Sequence, residues 1–148
     1  MARSELWIAA SRSDVFAVLA DGHSYEHWVV GCKRIRAVDA SWPHPAASFY
    51  HCVGFGPVYI RDMTTVVSRT GQQSLQLEAR AWPAGVARVD FELAPEGLGT
   101  KVLLTETLLE GPAKLLDNPV QQALINLRNF ETLRRLSRLV LTRVAACG

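Results

Sequence analysis

Two periodicities divide this chain, and they cannot belong to one kind of element. Between about residues 33 and 109 the chain is cut into short segments by Trp42-Pro43-His44-Pro45, Gly54-Phe55-Gly56-Pro57, Gly71-Gln72-Gln73, Pro83-Ala84-Gly85 and Pro95-Glu96-Gly97-Leu98-Gly99. Glycine and proline clusters at near-regular spacing mark the turns of an antiparallel meander. Six strands are predicted between them, over 33–40, 47–53, 58–68, 74–81, 86–94 and 100–109. Two of these alternate cleanly. Leu75, Leu77 and Ala79 interleave with Gln76, Glu78 and Arg80, and Ala87, Val89, Phe91 and Leu93 with Arg88, Asp90 and Glu92. Such strands bury one face and wet the other.

After Asn118-Pro119 the period changes from two to between three and four. Ala123, Leu127, Phe130, Leu133, Leu136, Val140 and Val144 form the stripe of one amphipathic helix. Asn118 is its predicted N-cap, Pro119 its first helical residue and Gln121 the partner in a capping box. Arg134, Arg135, Arg138 and Arg143 crowd its later half, where cations complement the helix dipole. With Arg128 they make a basic face, five arginines against the one acid Glu131, on which a docking role would rest.

The N-terminal part supplies a strand over 6–10 and a helix capped by Ser11, with Val15, Phe16, Val18 and Leu19 at helical spacing and Asp21-Gly22 ending it. A second short helix is expected over 24–28. The predicted fold class is α+β: a seven-stranded, curved antiparallel sheet wrapped around a long C-terminal helix, with two short helices after the first strand. Strands twist, so such a sheet cannot stay flat. One helix is the only large apolar element available to cover its concave face, and a gap remains between them. The first half of that helix, with Ala123, Leu124 and Leu127, is expected to roof the gap, and the Arg-rich half to anchor it.

Composition narrows the function classes. The chain has 148 residues and a formal net charge of +2. It shows no repeat or linker, so a single domain over 1–148 is expected. A charge so near zero gives no footprint for nucleic acid. Cys32, Cys52 and Cys147 form no C-x-x-C pair, and an odd count suits a reducing compartment. The apolar run before Ser11 is too short for a signal peptide. No stretch approaches the ~20 apolar residues of a membrane span. A cytoplasmic location is the expectation. Homodimerisation is compatible with the sequence and not specified by it.

The chain resembles the START-like, helix-grip superfamily, and within it the bacterial SRPBCC proteins of the polyketide cyclase/dehydrase type. The stretches that carry the resemblance are Ile8 to Leu19, Tyr25-Glu-His-Trp-Val-Val-Gly31, Trp42-Pro43, Gly54-Phe-Gly-Pro57, Asp62-Met-Thr-Thr-Val66, Gly111-Pro112, Asn118-Pro119 and Arg128-Asn-Phe-Glu-Thr-Leu-Arg-Arg-Leu136. The resemblance implies a cavity between sheet and helix that takes a lipid, polyketide, quinone or sterol-like molecule. Members named as cyclases guide the folding and dehydration of a polyketide, and many others only bind or carry a ligand. No cofactor is implied.

Several residues are candidates for that cavity. Glu106 shares a strand face with Val102 and Leu104, so it would be a buried acid with a raised pKa and a general base. The structural alternative is an ion pair with a buried arginine. Arg80 and Arg128 could hold a carboxylate or enolate oxygen. Alternation places Arg80 outside, and Arg128 lies beside the helix stripe, so both also read as rim residues. His51 shares a face with Phe49 and Val53 and is either a proton shuttle or a packed core residue. Trp28 and Trp82 fall at element ends, as pocket walls or plugs. Phe55 sits in a glycine-flanked turn that allows it to move as a lid. Asp62, mid-strand, is read as structural. His23 and His27 have helical zinc-ligand spacing but no third ligand, so no metal site is expected.

Overall fold

The computed structural model describes residues 1–55, 57–112 and 118–147, with the backbone alone at residue 55. In chain order the elements are β1 (Ala2–Ile8), α1 (Arg12–Leu19), a 3₁₀ turn (Gly22–Ser24), α2 (Tyr25–Trp28), β2 (Cys32–Val38), β3 (Ser48–Phe55), β4 (Val58–Thr70), β5 (Ser74–Ala81), β6 (Gly85–Glu96), β7 (Gly99–Glu110) and α3 (Pro119–Cys147). The expected fold class is the one observed. The first strand begins earlier than expected, at Ala2, and stops at Ile8 where Ser11 opens α1. The Ser11 hydroxyl accepts a hydrogen bond from the Asp14 amide at 3.1 Å.

All seven strands form one antiparallel sheet in the order β1-β7-β6-β5-β4-β3-β2. Strands β2 to β7 are a meander, and β1 returns to pair with β7, with Leu6 opposite Val102. β1 and β2 are therefore the two edges, and α1 and α2 carry the chain from one to the other. Register shifts interrupt β2–β3, β4–β5 and the start of β6–β7. Such bulges bend strands and sharpen the twist, which turns the sheet into a trough.

α3 closes the trough. Its later half is seated by Leu133, Leu136 and Val140, each with no exposed surface. Burial at this level is worth about 1.5–3 kcal/mol per aliphatic side chain. Arg143 fixes the same half to Asp21 at 2.8 Å. Arg134 and Arg135 both reach Glu131 at 3.5 Å on the solvent side.

The expected cap at the helix start is half made. The Gln121 amide donates to Asn118 Oδ1 at 2.9 Å. Gln121 Oε1 accepts from no described residue, so the reciprocal bond of a capping box is not seen among them. No described helix is long and apolar enough to cross a membrane.

Beneath α3 the end of the trough beside α1 is plugged by aromatic rings. Tyr25 packs on Trp28, Trp42 and Phe49 at centroid distances of 4.5, 5.7 and 4.8 Å. Their polar atoms are satisfied locally. Tyr25 Oη and Trp42 Nε1 both donate to the Leu19 carbonyl, and Ser24 Oγ donates to that of Val18. Carbonyls at the end of α1, which have no partner within the helix, are thereby bonded by the side chains that pack over them.

Candidate functional site

The plugged end and the seated half of α3 leave the other half of the trough unfilled. A cavity of about 540 Å³ lies there. Its floor comes from inward residues of β3 to β7, including Phe49, Leu77, Phe91 and Leu104, and its roof from Arg128, Asn129 and Thr132 of α3. It reaches the β3–β4 turn at Gly54 and Val58 and the β5–β6 turn at Ala84 and Gly85.

The roof differs from the expectation. Ala123, Leu124 and Leu127 are not part of the cavity wall. Leu124 is 62% and Leu127 67% exposed. The inward face runs back from Val140 through Leu136, Leu133 and Thr132 to Asn129, so the stripe turns polar where the roof begins. Thr132 Oγ1 accepts from the Val30 amide at 3.1 Å and ties this part of α3 to the segment after α2. On the other side the Asn126 carbonyl accepts from Ser4 Oγ of β1. This part of the helix is thus hung between the two sheet edges by polar contacts, while the later half is pressed down by leucines.

Glu106 and Arg128 meet in the cavity wall. Arg128 Nη2 donates to Glu106 Oε1 at 2.5 Å, with side-chain exposures of 38% for the arginine and 11% for the acid. Of the two readings left open for Glu106, a general base and an ion pair with an arginine, the structure has the ion pair, with the counter-charge supplied by α3. Arg128, expected at the rim, is that partner.

His51 is also in the wall and only 3% exposed. Its ring meets Phe49 edge-on at 5.9 Å. No well-formed hydrogen bond reaches either ring nitrogen among the described residues, and a weak one to the Met63 backbone acts on the ring. Burial lowers its pKa, with the Met63 backbone and the Asp62 carboxylate pulling the other way and Arg36 adding to the drop. His51 is on β3 and Glu106 on β7, with three strands between them. Along the sheet they are four strand spacings of ~4.8 Å apart.

Arg80 does border the cavity, against the alternation that sent it outside. It pairs with Asp62 across β4–β5 at 3.7 Å. Asp62 has the structural role expected of it, accepting from the amides of Met63 and Trp82. Cys32, another wall residue, has its thiol pushed up to about 12, chiefly by burial and then by Glu26, so it is no nucleophile at neutral pH.

The tryptophans are placed otherwise than expected. Trp28 is fully buried in the aromatic plug, donating to Ser24 Oγ at 3.0 Å, and does not line the cavity. Trp82 is 55% exposed at the β5–β6 turn and is not a wall residue either. The Phe55 side chain lies outside the described residues, so the lid reading is neither met nor opposed. Wall residues that sequence reasoning missed include Tyr25, Asn129 and Thr132. Stepping back from Val140 by four and three would have reached Asn129, but apolarity was the criterion and it selected the exposed face.

No protein-family model matches this sequence, and no curated protein is significantly similar to it. Solved structures are similar in fold. A protein of Thermus thermophilus, TTHA0849, is 16% identical, with 96% of this chain and 97% of that one covered at a TM-score of 0.71. Ara h 8.0201 is 11% identical, with 95% and 96% covered and a TM-score of 0.71. The di-domain ARO/CYC StfQ from the steffimycin biosynthetic pathway is 10% identical at a TM-score of 0.73, and the match covers 97% of this chain and 51% of StfQ. These likenesses show the helix-grip fold, the fold implied by the sequence resemblance.

Proposed function

We propose that this protein binds a small hydrophobic molecule, such as a lipid or polyketide, in the cavity between the sheet and α3. The observation that carries the reading is the cavity itself: about 540 Å³ with a mostly apolar wall, in a chain long enough to have filled it. Ligand sites commonly span ~300–1,000 Å³ and combine apolar walls with a few fixed polar groups. The space opens partly to solvent, and a large concave site with a mostly apolar wall is the usual form of a small-molecule site. The fold shared with Ara h 8.0201 and StfQ is compatible with the reading and names no ligand. Native mass spectrometry and solvent extraction of the purified protein test it. A co-purified apolar molecule, or saturable binding within a lipid and polyketide panel, is the expected result. An empty protein that binds nothing in the panel would overturn it.

A second reading, polyketide cyclisation or dehydration, is motivated by Glu106 and His51 opening on one cavity. Glu106 would take a proton from carbon beside a carbonyl, and Arg128 would hold the resulting enolate oxygen. Their mutual ion pair weighs against it, since a base tied to a cation must be released before it can act. Glu106→Gln should then abolish turnover on a polyketide thioester. Unchanged turnover would remove Glu106 from the reaction.

A further inference from the structure

The mouth of the cavity carries a cluster of exposed apolar side chains. Antiparallel strands turn at alternate ends, so the β3–β4 turn, the β5–β6 turn, the end of β7 and the start of α3 all lie at one end of the sheet. At that end Val58, Tyr59, Trp82, Val120 and Leu124 are each more than half exposed. Val58 and Tyr59 also border the cavity, as do Ala81 and Ala84 on either side of Trp82. Single apolar residues scattered over a surface need no explanation, but a cluster at the mouth of an apolar cavity marks an interaction site. Behind these turns the surface is basic. Lys33, Arg34 and Arg36 of β2 and Arg61 of β4 are exposed. Lys33 stands over the Tyr59 ring, 5.8 Å from its centroid. Arg36 donates to the Asp62 carbonyl, and Arg34 and Arg61 pair with no described acid. The acids nearby are Glu26 and Asp62, and Asp62 is already held by Arg80 and by the amides of Met63 and Trp82.

We propose that this end of the protein docks on an anionic lipid surface, with Val58, Tyr59 and Trp82 entering the headgroup layer and the basic edge of β2 and β4 lying against the lipid charges. Tyrosine and tryptophan each have an apolar ring with a polar tip, which suits the boundary between headgroups and acyl chains. The pull of an anionic surface on a cation falls off within a Debye length, so the cations must stand close to the inserted turn. Arg34 and Arg61 do so, since both are register partners of Cys52, just before the β3–β4 turn. The arginine-rich half of α3 fits such a surface less well. There Arg134 and Arg135 are engaged by Glu131, and Arg143 by Asp21. Docked in this way, the cavity mouth faces the bilayer, and an apolar ligand passes between the two without crossing bulk water. That consequence rests on the ligand-binding reading, whereas the docking itself does not.

Vesicle co-sedimentation of the purified full chain tests this, with vesicles of phosphatidylcholine alone and of phosphatidylcholine and phosphatidylglycerol in equal parts. The mixed vesicles should bind at least about ten-fold more tightly, and added salt should shrink the difference. Arg34→Glu combined with Arg61→Glu should weaken binding to the mixed vesicles by about ten-fold or more. Trp82→Ser should weaken it as well. The same change of net charge on the later half of α3, Arg134→Glu combined with Arg138→Glu, should cost far less. No binding to the mixed vesicles would overturn the proposal, and that is the result given by a surface that serves a protein partner instead. Equal binding to both kinds of vesicle would also overturn it, as would equal losses from the two charge reversals. The substituted side chains are all exposed, and the unmodified protein supplies the first comparison. Vesicle binding is read with no ligand added, so each of these failures leaves the ligand-binding reading standing.

Discussion

Removing either partner of the Glu106–Arg128 pair should destabilise the protein by unequal amounts. The acid is 11% exposed and the arginine 38%. With Arg128→Leu, Glu106 is left charged in an apolar wall with no cation. Breaking a fully buried pair in this way costs about 3–5 kcal/mol. Water reaches Arg128, so the pair is partly screened and about 2–3 kcal/mol is expected. With Glu106→Leu, the long arginine can swing its guanidinium into solvent, and about 1 kcal/mol is expected. The double Leu substitution strands no charge and should cost no more than the Glu106 single, a coupling of about 2–3 kcal/mol. Urea unfolding measures all three. At this chain length each kcal/mol also moves Tm by roughly 2–4 °C. A Glu106→Leu cost equal to or above that of Arg128→Leu, or strict additivity, would refute the reasoning.

Other consequences are as specific. His51 is buried with its pKa lowered, so the folded state resists protonating it: its contribution is present above the unfolded value near 6.5 and is lost as pH falls through that value toward the lower folded one. Unfolding measured between about pH 7 and pH 5 should show a loss that His51→Leu reduces, and an unchanged slope in the variant would contradict this. Thr132→Val removes the acceptor of the Val30 amide and should cost about 1–2 kcal/mol in thermal unfolding. Gly54 has φ +152°, and a Cβ there would collide with the Val58 carbonyl oxygen. Gly54→Ala should therefore lower stability by about 1–3 kcal/mol, and an unchanged Tm would show that the β3–β4 turn shifts at no cost.

Much of the sheet was legible because its signals are local. Gly71 and the Pro83-Ala84-Gly85 cluster bracket a strand predicted over 74–81, which is the observed β5. Helix α3 was legible in its start and its later half for the same reason. Its first half was misread because a roof over a cavity reverses the usual rule. Asn129 and Thr132 face inward, where Thr132 accepts from the Val30 amide, while Leu124 and Leu127 face out. Arg80 illustrates a second limit. Alternation puts it outside, yet its long side chain borders the cavity near the end of β5, where parity constrains it little. The Glu106–Arg128 pair joins residues 22 positions apart on different elements, and no local pattern records such a meeting. The sequence did leave the ion pair open as one alternative for Glu106.

The most direct test of the central claim is to fill the cavity and ask whether binding goes. Ala87 is an inward wall residue of β6, and Ala87→Trp puts an indole into the space a ligand would use. Pyrene titrated into the unmodified protein should give one saturable site. The variant, with an unchanged far-ultraviolet circular dichroism spectrum, should lose it. Equal pyrene binding by both proteins would contradict the account.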